Sequence, residues 1–168
     1  MALRTIAIAA GLSLAAASPA LAQNAPFPVI PNSEVFSAYQ AICLAQPSDT
    51  AAQIAAATAA PYGMTLVETA EDGSKRFKND RMFAAMLKSK EYQFCMVAGN
   101  IGSDATVQSA SALAEPVLSR KGQRVAESET QVIWSDVNVK PVTIYMYMHS
   151  NVDGTVIGSY LTGVEQPK

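Results

Sequence analysis

The chain holds one histidine and two cysteines, so nucleophilic, acid–base or metal chemistry has few places to start. His149 is the one side chain whose ordinary pKa lies near neutrality. It sits at a strand end beside Ser150 and near Asp153. That local spacing does not build a Ser-His-Asp relay, which needs convergence from separate elements. Ser and Asp beside a turn are first of all turn residues. His149 is therefore the single weak catalytic candidate, for a small secreted hydrolase with an acidic or hydroxyl partner. No metal site is expected, because zinc sites draw on several His or Cys ligands. Glu127 and Glu129 share a face if they lie on one strand, the arrangement that sugar hydrolysis uses; a solvated strand face is the plainer reading. No nucleophile elbow, phosphate-binding glycine loop or dinucleotide fingerprint is present, and no cofactor is expected.

Cys43 and Cys95 are better explained by their compartment. Residues 1–22 read as a secretory signal peptide: Arg4 supplies a positive start, Ile6 through Ala17 an uncharged apolar run, and Ala20-Leu21-Ala22 a cleavage site. The exported chain then begins at Gln23, in a periplasm or outside the cell, without membrane insertion after signal removal. Its net charge moves from −2 to one unit more negative, since Arg4 is the only charge lost. This balance gives no reason to expect nucleic acid or an anionic membrane as partner. In an oxidising compartment an even pair of cysteines favours a disulfide. It would close a loop of about 53 residues and contribute about 4 kcal/mol by chain entropy.

Two surfaces could bind a partner. Lys75, Arg76, Lys78, Arg81, Lys88 and Lys90 concentrate positive charge within one segment. They could recognise an anionic surface as an inhibitor or scaffold does, or guard solvent-facing strand edges. The second surface is a tyrosine-bearing strand face: Tyr145, Tyr147 and His149, joined by Tyr160 from the last strand. Tyrosine combines apolar area with a polar tip. The opposite face carries Val142, Ile144, Met146 and Met148. Being more apolar, it is expected to lie under the helices and leave the tyrosines open to a protein or small ligand.

The elements that position these residues follow from periodicity. Residues 23–32 are a proline-rich, extended lead-in, and 33–163 form a single domain ending in a polar tail, 164–168. Asn32 or Ser33 can cap a first helix whose stripe is Val35, Phe36, Tyr39, Ile42 and Cys43. Ser48 can cap an alanine-rich second helix ending at Pro61-Tyr62-Gly63. Strands are expected at 64–69, within 75–88 and at 91–98. Ser103 can cap a third helix, which Pro116 should kink or split. Further strands are expected at 124–134, 140–149 and 155–162. If Ser150 pairs with Thr155, Tyr147 faces Gly158 and Tyr145 faces Tyr160. The result is an α+β fold: an antiparallel sheet of about six strands, helices on one face, order ααβββαβββ, and one disulfide.

Phe36, the Cys43-Leu44-Ala45 run, Asp49 opening an alanine-rich helix, Gly63, and Cys95 followed by Val97 give residues 33–98 a likeness to a known group. The segment resembles small exported alphaproteobacterial proteins of unknown function. Such families often carry tryptophan after the glycine equivalent to Gly63, where this chain has Met64. The resemblance implies export and the disulfide, and no catalytic residue. The expectation is an exported, disulfide-stabilised envelope protein, more a binder than an enzyme.

Overall fold

A computed structural model describes residues 27–136 and 138–166. The signal segment, the start of the lead-in and the last two residues lie outside the described residues. The chain forms α1 (Asn32–Tyr39), a π-helical turn (Gln40–Leu44) and α2 (Thr50–Thr58), then β1 (Thr65–Thr69), β2 (Lys75–Lys78), β3 (Met82–Lys88) and β4 (Tyr92–Asn100). After α3 (Val107–Leu118) come β5 (Gln123–Glu127), β6 (Gln131–Ser135), β7 (Thr143–Val152) and β8 (Thr155–Glu165).

The expected α+β class holds, with eight strands in place of six. The order is ααββββαββββ, and the sheet reads β1-β2-β3-β4-β8-β7-β6-β5, antiparallel throughout. Each half is thus helical chain followed by a four-stranded meander, and the last strands of the two halves pair at the centre. The extra strands come from two breaks inside expected strands. At the first, Asn79 Oδ1 accepts hydrogen bonds from the backbone N–H groups of Arg81 and Met82, 2.9 and 2.8 Å away. At the second, Ser128 Oγ accepts one from Thr130, and the turn separates β5 from β6. Glu127 ends β5 and Glu129 lies in this turn, so the two carboxylates do not share a strand face.

Both sheet edges are blunted. Every residue of β1 and of β5 is exposed, and each strand is bulged, β1 between Leu66 and Glu68 and β5 between Arg124 and Ala126. A bulge twists an edge away from further pairing.

The capping residues differ from expectation. Pro31 precedes α1, and Asn32, as its first residue, turns its side chain inward rather than capping. Asp49, not Ser48, caps α2 by accepting from Ala52 N–H. Thr106, not Ser103, caps α3 in a reciprocal arrangement with Ser109. Pro116 neither splits nor ends α3, which runs on to Leu118.

Helices and sheet are tied by the expected disulfide. Cys43 and Cys95 are bonded, with Cα atoms 5.4 Å apart, and both are buried. The π-helical turn therefore lies on β4, as the apolar stripe of the first helix requires. The β7–β8 hairpin closes through Asp153 and Gly154 alone, at φ 50° and 79°. Both residues are left-handed, the requirement of the two-residue turn that matches strand twist. Val152 pairs with Thr155, so the register is two residues from that expected: Tyr147 faces Tyr160, Tyr145 faces Thr162, and His149 faces Gly158.

Candidate binding face

The two faces of the sheet are assigned by alternation along each strand. On the helix-covered face, Phe77, Ala84, Val97, Tyr160, Tyr147 and Val132 follow one another across the strands. These residues belong to one buried cluster with Val35, Phe36, Tyr39 and Ile42 of the first helical segment and Ala110, Ala114 and Leu118 of α3.

The tyrosine face is therefore the covered one, contrary to expectation. Tyr147 and Tyr160 are fully buried and Tyr145 nearly so. The polar tips of Tyr160, Tyr39 and Trp134 on this face give a physical reason, whereas Tyr147 Oη meets His149 Nδ1 on its own strand. Tyr160 Oη accepts from Asn32 Nδ2 at 2.6 Å and donates to the Ala110 carbonyl at 3.1 Å, partners supplied by α1 and α3. Tyr39 Oη of α1 and Thr162 Oγ1 of β8 hydrogen-bond at 2.7 Å. Trp134 Nε1 donates to Glu115 of α3 at 3.1 Å, and Glu115 also pairs with Arg124, whose guanidinium lies 5.8 Å from the Trp134 ring centre. Buried aromatic residues with polar tips need hydrogen-bond partners, and helices offer them; methionine and isoleucine need none.

Phe36, Tyr39 and Tyr147 surround Tyr160, their ring centres 5.0 to 5.4 Å from its own. Burial pushes the phenols of Tyr39, Tyr147 and Tyr160 well above the usual tyrosine value. They stay neutral and serve as structural hydrogen-bonding groups, not as a ligand surface.

His149 is half-buried at the end of this face. Its Nδ1 lies 3.2 Å from Tyr147 Oη, and its backbone N–H donates to Thr130. Alternation sends Ser150 to the other face, and Asp153 lies in the hairpin turn. Among the described residues, no carboxylate or serine hydroxyl is hydrogen-bonded to the imidazole, and no group of three or more His, Cys, Asp or Glu could hold a metal ion.

The basic segment is not one patch. Lys75 and Lys88 lie on the helix-covered side, level with Met86 and Gln93, whereas Arg76 and Lys78 lie on the opposite side, level with Ala85 and Phe83. Arg76 pairs with Glu68, and Arg81 with Glu34 at 2.7 Å. Lys90 stands exposed in the β3–β4 turn.

What remains is the face without helices. Phe83, Ala85, Phe94, Met96, Ala98, Met146 and Leu161 form a second buried cluster there, flanked by Leu87, Ile133, Met148 and Ile157. These seven are 1 to 7 % exposed, and among the described apolar residues outside the strands Phe27 packs on them. Phe27 is held in place because its carbonyl accepts from Asn100 Nδ2 at 2.8 Å. Val142, Ile144, Met146 and Met148 were expected under the helices; Met146 and Met148 belong instead to this helix-free cluster. The hydroxyl-bearing residues opposite were the signal that could have reversed the assignment.

Comparison of the chain with protein-family models, curated proteins and solved structures finds no match.

Proposed function

We propose that this chain is an exported, disulfide-stabilised envelope protein, periplasmic or secreted. It works as a non-catalytic binder that takes an apolar partner on the helix-free face of its sheet. One observation carries the reading. A contiguous cluster of Phe, Met, Leu and Ala spans β3, β4, β8 and β7 on the side opposite all three helices. Its margin of Leu87, Ile133, Met148 and Ile157 is partly exposed, and apolar area left exposed outside a helix-packed core is the usual mark of an interaction site. Methionine, contributed here by Met96, Met146 and Met148, adapts to ligands of irregular shape. The signal-like residues 1–22, the Cys43–Cys95 bond and the resemblance of residues 33–98 to small exported proteins support the compartment.

The test is dye binding by the exported protein. 1-Anilinonaphthalene-8-sulfonate should gain fluorescence with the native protein, and Ile133→Lys and Met148→Lys should each reduce it. Both positions are half-buried at the margin of the cluster, so the variants keep the native circular dichroism. Native-like variants that still bind the dye as the parent does would contradict this assignment.

A further inference from the structure

The strand order places a pseudo-two-fold axis through the sheet. β4 and β8 pair antiparallel at its centre, and their neighbours run outward as β3, β2, β1 on one side and β7, β6, β5 on the other. The helices that lead into the two meanders obey the same axis. α2 packs on β3, and α3 on β7, its equivalent. α2 starts at the level of Gln93, whose side chain donates to Thr50, and hands over to β1 at the level of Ala98. α3 runs the opposite way, from Ala110 at the level of Val97 to Glu115 at the level of Cys95. Both meanders open with a five-residue strand that carries one bulge. α1 is the helix without a counterpart, and it lies across the axis on β4 and β8.

Residues 30–100 and 107–165 are thus two units. The disulfide and the ion pairs of Arg76, Arg81, Arg124 and Lys140 are each internal to one unit. Across the seam run nine residue pairs of β4 and β8, the Tyr39–Thr162 hydrogen bond at 2.7 Å and the Asn32–Tyr160 hydrogen bond at 2.6 Å. The covalent link is residues 101–106, which lie outside helix and strand.

We infer that the chain is built as a fused dimer of helix–meander units, and that the β4–β8 seam accepts the complementary unit of a second copy. The seam contacts are the same whether the two units belong to one chain or to two, so the link decides between these arrangements. A short tether holds its own unit at an effective concentration of about 1 mM, and below that the chain closes on itself. Exchange with a second copy takes over where the tether cannot span the gap. Ile101 is fixed beside β8, its N–H donating to the Val156 carbonyl at 2.9 Å. α3 lies one layer above β7, two strands along from β4, so the start of α3 is about 14 Å from Ile101 at ordinary strand and layer spacings. Removing Ser103, Asp104 and Ala105 keeps the Thr106 cap but leaves about 11 Å of extended chain to cover that distance.

The processed protein, Gln23 onward, is sized by light scattering with and without residues 103–105. At about 10 μM the parent is expected to be monomeric, and the deletion variant dimeric with the parent's circular dichroism. A deletion variant that is native and monomeric overturns the proposal. If the deletion prevents folding, the parent decides. It is unfolded in urea, refolded at about 1 mM and diluted about a hundredfold. A dimer that survives dilution supports exchange, because units traded between chains return only through unfolding. A dimer that dissociates on dilution, from either protein, is ordinary surface association and overturns the proposal. Refolding of the parent to monomer alone overturns it as well.

Discussion

Tyr147 and Tyr160 stand directly opposite each other on β7 and β8, their ring centres 5.0 Å apart, both fully buried beneath the helices. This pairing decides which side of the sheet is core. Tyr160 hydrogen-bonds to α1 through Asn32 and to α3 through Ala110, so the two helices and the two central strands of the second half meet at one phenol. The side turned away from it is left to the apolar residues that need no such partners.

The buried phenols make stability fall at alkaline pH. Desolvation raises the pKa of Tyr39, Tyr147 and Tyr160, whereas tyrosines of the unfolded chain ionise at about 10. Below that pH both states keep their protons and the contribution is intact. Above it the unfolded chain releases protons that the folded chain retains, so unfolding becomes easier, by about 1.4 kcal/mol per pH unit for each phenol. Urea unfolding from pH 8, about two units below that value, to pH 11, about one unit above it, should show a plateau and then a decline. A midpoint that stays flat through the upper limit would contradict the burial of these groups.

Tyr39→Phe isolates one of the partners. It leaves the Thr162 hydroxyl, buried on β8, without its 2.7 Å hydrogen bond. The expected loss is about 1 to 3 kcal/mol, because a stranded buried hydroxyl costs its desolvation. The double variant Tyr39→Phe with Thr162→Val should recover part of it. Additive losses would show that the two hydroxyls do not serve one another.

The disulfide anchors the first helical segment. Removing it with Cys43→Ser and Cys95→Ser reopens a loop spanning 52 residues in sequence. Chain entropy sets the cost at about 4 kcal/mol. Calorimetry should show a midpoint lower by more than about 10 °C for a domain of this size. An unchanged midpoint would mean that the bond adds nothing to the packing of Ile42 and Leu44.

Gly163 lets Phe94 lie across the β4–β8 pair on the helix-free face. A Cβ at this glycine would come within 2.7 Å of ring atom Cδ1. Gly163→Val should displace the ring and destabilise by about 1 to 3 kcal/mol, the range for overpacking. It should also change dye binding at the face. A stable Gly163→Val protein with unaltered dye binding would place the Phe94 ring elsewhere.

Periodicity made part of this architecture legible. The helical stripe from Val35 to Cys43 and the alternation around Cys95 were enough to place the disulfide between a helix and a strand. The breaks at Asn79 and Ser128 were not legible as strand ends. Neither turn contains glycine or proline, and each is made by a side-chain oxygen accepting from the backbone two or three residues on. The choice of covered face was misjudged for a different reason. Comparing Met146 and Ile144 with Tyr145 and Tyr147 by apolarity ranks transfer energy. The fold ranks hydrogen-bond satisfaction, and Asn32, Ala110 and Glu115 lie far away in sequence. The face proposed for binding follows from that same choice, so it became visible only with the helices in place.

The methionines allow the face assignment to be read directly. Met64, Met82 and Met86 belong to the helix-covered cluster, and Met96, Met146 and Met148 to the opposite one. With methyl-labelled methionine, NMR titration of the processed protein with 1-anilinonaphthalene-8-sulfonate should shift or broaden the signals of Met96, Met146 and Met148. Those of Met64, Met82 and Met86 should stay in place. Perturbation of the second set with the first unmoved would put the binding surface on the wrong side of the sheet and contradict the account.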